Sequence, residues 1–179
     1  MNIFVGCSSS NVINQEYVLD CELLLKEIFL GDYDLVFGAD DTGLMGLAYH
    51  IAKDNHRKVI GVCPYKYRDD LKKLECDQEC VSDSVGDRTK DAIGYSDVIL
   101  FLPGGIGTLY EFFTAVESKR SHEHDKPIIL YNCYGYYDML LSLLDKVYYE
   151  KFTSYLVKDN YYVCDSKKDV IKCLKMLKK

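Results

Sequence analysis

The run Pro103-Gly104-Gly105-Ile106-Gly107-Thr108-Leu109-Tyr110-Glu111 places backbone glycines, a hydroxyl and a carboxylate within nine residues. It follows an apolar, strand-like stretch and leads into a helical pattern, so a glycine-rich loop opening a helix is expected. Unpaired amides at such a start, together with the positive end of the helix dipole, hold phosphates well. Gly104, Gly105, Ile106, Gly107 and Thr108 are therefore candidate phosphate-binding residues. No lysine follows the final glycine, which excludes a Walker A loop. The dinucleotide fingerprint belongs at the first strand turn and needs a small third residue, where this chain has Tyr110. A single phosphate, or the monophosphate end of a nucleotide, is the better match.

Glu111 admits two readings. Three residues after Thr108, it could close a capping box in which the Thr108 hydroxyl and the Glu111 carboxylate each satisfy an orphan amide. It could instead be a carboxylate held beside a phosphosugar, orienting water or stabilising positive charge at a sugar carbon. Arg88 is one of four arginines in a lysine-rich chain. It could form a solvated ion pair with Asp87 or Asp91, worth about 1 kcal/mol or less. Its rigid fork also suits a phosphate or a substrate oxygen better than a lysine would.

Two further turns draw notice. Gly6-Cys7-Ser8-Ser9-Ser10-Asn11 is small and hydroxyl-bearing, fit either to bond a ligand or to form an ST-type turn. Gly38-Ala39-Asp40-Asp41-Thr42 leads into Gly43-Leu44-Met45-Gly46. Gly43 and Gly46, one helical turn apart, let this helix start approach either another backbone or a ligand. Both are carried as candidate substrate-binding positions.

These residues need a scaffold, and the apolar pattern supplies one. Strands are expected at Asn2–Gly6, Asp34–Gly38, Lys58–Val62, Glu79–Ser82, Asp97–Pro103, Pro127–Tyr131 and Tyr161–Cys164. Helices are expected at 14–30, 43–55, 85–95, 108–120, 135–150 and 167–178. That alternation predicts a Rossmann-like, doubly wound parallel α/β sheet with helices on both faces, in a single domain over residues 1–179. Ligands of such sheets bind beyond the carboxyl ends of the strands, which is where the three turns fall. The charged stretch Tyr65 to Asp77 reads as an exposed loop with a frayed helix, a candidate lid.

The chain has 179 residues, enough to bury roughly 70% of the surface its unfolded form exposes. With 28 acidic against 22 basic side chains its formal charge is -6. No basic run interleaved with aromatics is present, so nucleic acid is not an expected partner. No apolar stretch approaches the ~20 residues that span a bilayer, and no signal pattern opens the chain. A soluble, cytoplasmic protein is expected. The eight cysteines read as reduced, buried apolar residues. Cys76 and Cys80, at helical i, i+4 spacing, would make only half of a zinc site.

The signature Pro103 to Glu111 resembles the P-G-G-x-G-T-x-x-E motif of the Lonely Guy (LOG) family, cytokinin riboside 5′-monophosphate phosphoribohydrolases formerly labelled lysine decarboxylase-like. Leu44-Met45-Gly46, His124-Asp125-Lys126-Pro127 and Gly135-Tyr136-Tyr137 extend the similarity over nearly the whole chain. The resemblance implies a Rossmann-like homodimer that hydrolyses the N-glycosidic bond of a nucleoside 5′-monophosphate, with no metal or redox cofactor. It implies Glu111 and Arg88 as catalytic residues and Gly105, Gly107 and Thr108 as the cradle of the 5′-phosphate. The chain departs from the family where Gly38-Ala39-Asp40 replaces a triple glycine and Arg88-Thr89 replaces Arg-Lys. These departures motivate an alternative: a nucleotide or cofactor carrier of the same fold without efficient hydrolysis. The decarboxylase label gains nothing from the residues, because no lysine stands in the glycine loop to form a Schiff base.

Overall fold

In the computed structural model, which describes residues 1–178, seven strands form one all-parallel sheet. They are β1 (Asn2–Gly6), β2 (Asp34–Phe37), β3 (Val59–Pro64), β4 (Gln78–Ser82), β5 (Val98–Phe101), β6 (Ile128–Tyr131) and β7 (Tyr162–Cys164). Their order across the sheet is β4, β3, β2, β1, β5, β6, β7. The central strand β1 pairs on one side with β2, Ile3 opposite Leu35, and on the other with β5, Phe4 opposite Ile99. The chain therefore winds outward in one direction from β1 and then in the other from β5. A crevice opens between the carboxyl ends of these two strands, where the order reverses.

Alternation along β1 shows why both faces must be covered. Ile3 and Val5 point to one face and Phe4 to the other, and all three are fully buried. The first face carries α1 (Gln15–Leu30), α2 (Gly43–Asp54) and α7 (Lys167–Leu177), through residues such as Leu24, Ala48 and Val170. The second carries α4 (Val85–Tyr95), α5 (Ile106–Arg120) and α6 (Asp138–Tyr149), through Ala92, Ile93, Phe112 and Val116. Hence α4 and α5, the elements bearing Arg88 and Glu111, lie on the same face. The expected lid is a 3-10 turn at Tyr65–Tyr67 continued by the single-turn helix α3 (Arg68–Leu71).

Several expected bounds change: β5 ends at Phe101 rather than Pro103, and α6 begins at Asp138 rather than at 135, behind the 3-10 turn Cys133–Gly135. Helix α5 begins at Ile106, two residues before the predicted start, with Gly105 as its N-cap. Cys76 and Cys80 share no helical face, because Cys80 lies on β4. Among the described residues no helix is long and apolar enough to cross a membrane.

Candidate active site at the switch point

A cavity of about 780 Å³ opens at the carboxyl edge of the sheet. Gly105, Gly107, Thr108 and Glu111 of the α5 start wall one side, with Arg88 of α4 beside them. Ser8, Ser9 and Ser10 follow from β1, and Ala39 to Thr42 from β2. Tyr67, Asp70, Lys73 and Leu74 close the side formed by α3 and the residues after it.

The carboxylate and the guanidinium meet directly. Arg88 Nη1 donates to Glu111 Oε1 in an ion pair that is buried on both sides. Arg88 Nε donates to the Val62 carbonyl at 3.3 Å, which fixes the plane of the fork. Burial lowers the pKa of Arg88, but an arginine remains a cation under these conditions. The surface alternative for Arg88 fails on geometry, since Ser84 and Ser82 hydroxyls take Asp87 and Asp91, each at 2.5 Å. Arg88 turns inward instead.

Two glycines at strand ends make this meeting possible. A Cβ on Gly38 would overlap Arg88 Nη2, and one on Gly6 would come within 2.8 Å of Glu111 Oε2. Neither glycine is among the candidate site residues that the sequence offers. Their position directly after β2 and at the end of β1 was the available signal, since side chains from α4 and α5 must cross those ends.

The capping-box reading of Glu111 is also excluded. With Gly105 as N-cap, Thr108 lies in the first turn and Glu111 in the second, where its carboxylate engages Arg88. No side chain caps α5. Its first backbone bond runs from the Leu109 amide to the Gly105 carbonyl at 3.0 Å. The amides of Ile106, Gly107 and Thr108 have no acceptor among the described residues. A Cβ on Gly105 or Gly107 would meet nothing within 4 Å, so the protein itself gives no steric reason for glycine at either position. Gly104 differs, because a Cβ there would overlap the Thr108 side chain. The Ile106 side chain points to solvent.

Gly43 and Gly46 do not join this group. The Gly43 amide donates to Asn11 Oδ1 at 2.8 Å and the Gly46 amide to the Thr42 carbonyl at 3.0 Å. A Cβ on Gly43 would fall 2.6 Å from the Ser10 carbonyl oxygen, and one on Gly46 2.6 Å from the Asp41 carbonyl carbon. Close backbone packing accounts for both glycines, the first of the two readings that their spacing allows. Neither lines the cavity.

Ala39 sits at φ 56, a left-handed conformation in which a Cβ is strained. Asp40 Oδ1 accepts from the Thr42 hydroxyl at 2.6 Å. Thr89 is fully buried and donates to the Val85 carbonyl at 3.1 Å, pointing away from the cavity. Cys7 lines the cavity, but burial pushes its thiol pKa well up despite the opposing effect of Arg88. It remains protonated and is not a nucleophile.

The all-parallel sheet, with an uncapped helix start and a buried Arg–Glu pair at its switch point, defines a Rossmann-like protein. The family described as "Possible lysine decarboxylase" matches residues 45–174. A probable cytokinin riboside 5′-monophosphate phosphoribohydrolase of Arabidopsis thaliana is 37% identical over 84% of this chain and 76% of its own length. A second Arabidopsis thaliana protein, named cytokinin riboside 5′-monophosphate phosphoribohydrolase, is 33% identical over 96% of this chain and 80% of its own. The chain belongs to this lysine decarboxylase-like, or LOG, family. Among solved structures, the Moco carrier protein from Chlamydomonas reinhardtii superposes with a TM-score of 0.71 at 20% identity, over 98% of this chain and 96% of its own. The molybdenum cofactor binding protein from Rippkaea orientalis gives 0.71 at 23% identity, over 99% and 97%. These two likenesses speak to the fold.

Proposed function

We propose that the protein hydrolyses the N-glycosidic bond of a nucleoside 5′-monophosphate, giving free base and ribose 5-phosphate. The observation that carries this reading is the buried Arg88–Glu111 pair on the cavity wall, next to helix amides that nothing in the protein occupies. The named activity of the relatives supports it. In this reading the 5′-phosphate rests on the amides of Gly105, Ile106, Gly107 and Thr108, where the α5 dipole favours negative charge. Gly104 lets the loop fold closely over Thr108. Arg88, anchored by the Val62 carbonyl, orients the phosphosugar.

Glu111, paired with Arg88, faces the sugar. As the bond from C1′ to the base nitrogen lengthens, its electron pair leaves with the base and positive charge grows on the sugar. The carboxylate stabilises that charge and takes a proton from the attacking water, whose oxygen bonds to C1′. Glu111 then returns that proton to the nitrogen of the departing base, which restores the carboxylate. Incubation with AMP and with a cytokinin riboside monophosphate, followed by chromatography for free base, tests the reading. No release from any purine or pyrimidine monophosphate would overturn it.

Ala39 and Asp40 favour one alternative, since Asp40 adds a carboxylate to the wall of a cavity meant for an anion. A carrier of nucleotide or cofactor would be stabilised thermally by AMP while releasing base no faster than buffer does. We further propose a homodimer. Ile106, Tyr110 and Phe113 recur at i, i+4 and i+7 on α5 and remain exposed, whereas Phe112 and Val116 are buried in the core. An isologous contact would cover that stripe. Light scattering should give twice the mass of the chain, and a monomer mass at micromolar concentration would exclude the dimer.

A further inference from the structure

We propose that Tyr136 is a positioning residue: its hydroxyl turns the Gly104–Gly105 peptide so that the Gly105 N–H faces the phosphate seat. This rests on the phosphate reading of the loop given above. Tyr136 lies just after the 3-10 turn Cys133–Gly135 and outside the cavity wall. Its Oη donates to the Gly104 carbonyl at 2.7 Å. The peptide is planar and trans, so its N–H points opposite to its C=O. Holding the carbonyl from outside therefore directs the Gly105 N–H to the other side of the loop, where Gly105 lines the cavity. The ring is itself held by edge contacts to Tyr17 at 5.5 Å and Tyr137 at 4.8 Å.

The adjacent tyrosine provides an internal contrast. Tyr137 Oη donates to the Leu102 carbonyl at 2.6 Å, two residues earlier in the same loop. The peptide that follows Leu102 belongs to Pro103, which has no N–H to direct. The Pro103 carbonyl is taken by the Ser8 amide at 3.2 Å. Three consecutive carbonyls are thus gripped by the protein, the middle one by a backbone amide, and of the two tyrosine grips only that of Tyr136 carries an N–H on its far side. Tyr137 is buried and serves folding, whereas Tyr136 is partly exposed and serves binding.

The test is calorimetric titration of ribose 5-phosphate into the wild-type protein, Tyr136→Phe and Tyr137→Phe, with melting curves and AMP kinetics on each. Tyr136→Phe should weaken binding roughly tenfold, because water can hold the freed carbonyl but not fix its direction. Its KM for AMP should rise in parallel, with kcat within twofold and the melting temperature nearly unchanged. Tyr137→Phe should melt earlier and bind within twofold of wild type. Unchanged affinity in Tyr136→Phe, or equal loss of affinity in both variants, would overturn the inference. Retained ribose 5-phosphate binding without base release from any purine or pyrimidine nucleoside 5′-monophosphate would overturn the hydrolase reading alone. A wild-type protein that does not bind ribose 5-phosphate would overturn both.

Discussion

Helices α2 and α5 start at the same edge of the same sheet, each behind a glycine-bearing loop, and they solve the problem of orphan amides in opposite ways. At α2, the Leu44 amide donates to the Ser8 carbonyl at 2.8 Å and the Gly43 amide to Asn11. Its glycines admit neighbouring backbone. At α5 the amides stay open, and Gly105 and Gly107 border empty space. A glycine-rich helix start therefore indicates a ligand seat only when its N–H groups are left unoccupied by the protein. That condition is tertiary and cannot be read from glycine spacing.

The sharpest way to break this contrast is to disarm the α5 side. Glu111→Gln should reduce AMP hydrolysis by about a hundredfold, the scale of a lost acid/base group. It should also cost about 2 kcal/mol of stability, because Arg88 keeps its buried charge without a counter-ion. Turnover is measured by chromatography and stability by urea denaturation, and intact turnover would remove the chemistry from α5.

Next in size is a matched pair of alanines. Gly43→Ala should destabilise by about 2 kcal/mol, since its φ of 57 and the Ser9–Ser10 backbone both oppose a Cβ. Gly107→Ala should leave stability unchanged or raise it by up to about 1 kcal/mol, while weakening ribose 5-phosphate binding. Similar behaviour of the two variants would erase the distinction between the helix starts. Ala39→Gly, in the loop before α2, should stabilise by about 0.5–1 kcal/mol in the same denaturation assay, as the left-handed strain is released.

The smallest effect lies at the far end of α5. His124 Nε2 meets the Ala115 carbonyl at 3.0 Å, and its Nδ1 accepts from the Lys126 amide at 3.1 Å, so the ring is neutral. Burial lowers its pKa from the ordinary 6.5. The unfolded chain therefore takes up the proton first as the solution is acidified. Stability from this group is complete above pH 6.5 and declines as pH falls toward the depressed folded value. Melting curves between pH 7 and 5 should show a shallow loss that His124→Gln flattens. If that variant steepens the slope, the ring is charged in the fold.

Much of the scaffold was legible. Strand β1 falls at Asn2–Gly6 as its apolar run predicts, and α4 spans 85–95. These elements are specified by local period and by buried faces. The start of α5 differs from its expected place for a physical reason: Thr108 looks like a cap, but the N-cap is Gly105, which has no side chain to announce it. Arg88 and Glu111 could be named from residue type and resemblance, yet their direct contact depends on Gly6 and Gly38, contributed by different strands. Nor does spacing reveal that Tyr136 reaches the Gly104 carbonyl, 32 residues away in sequence.

The uncapped first turn of α5 also links occupancy to folding. Its open donors leave the helix less stable than a capped one, so an anion seated there, as proposed, would act as the missing cap. Any ligand that prefers the native state stabilises it by RT ln(1 + [L]/Kd), about 2.7 kcal/mol at a concentration one hundred times Kd. On the proposed reading, thermal stability would serve as a gauge of substrate supply, the folded population rising as the cavity fills.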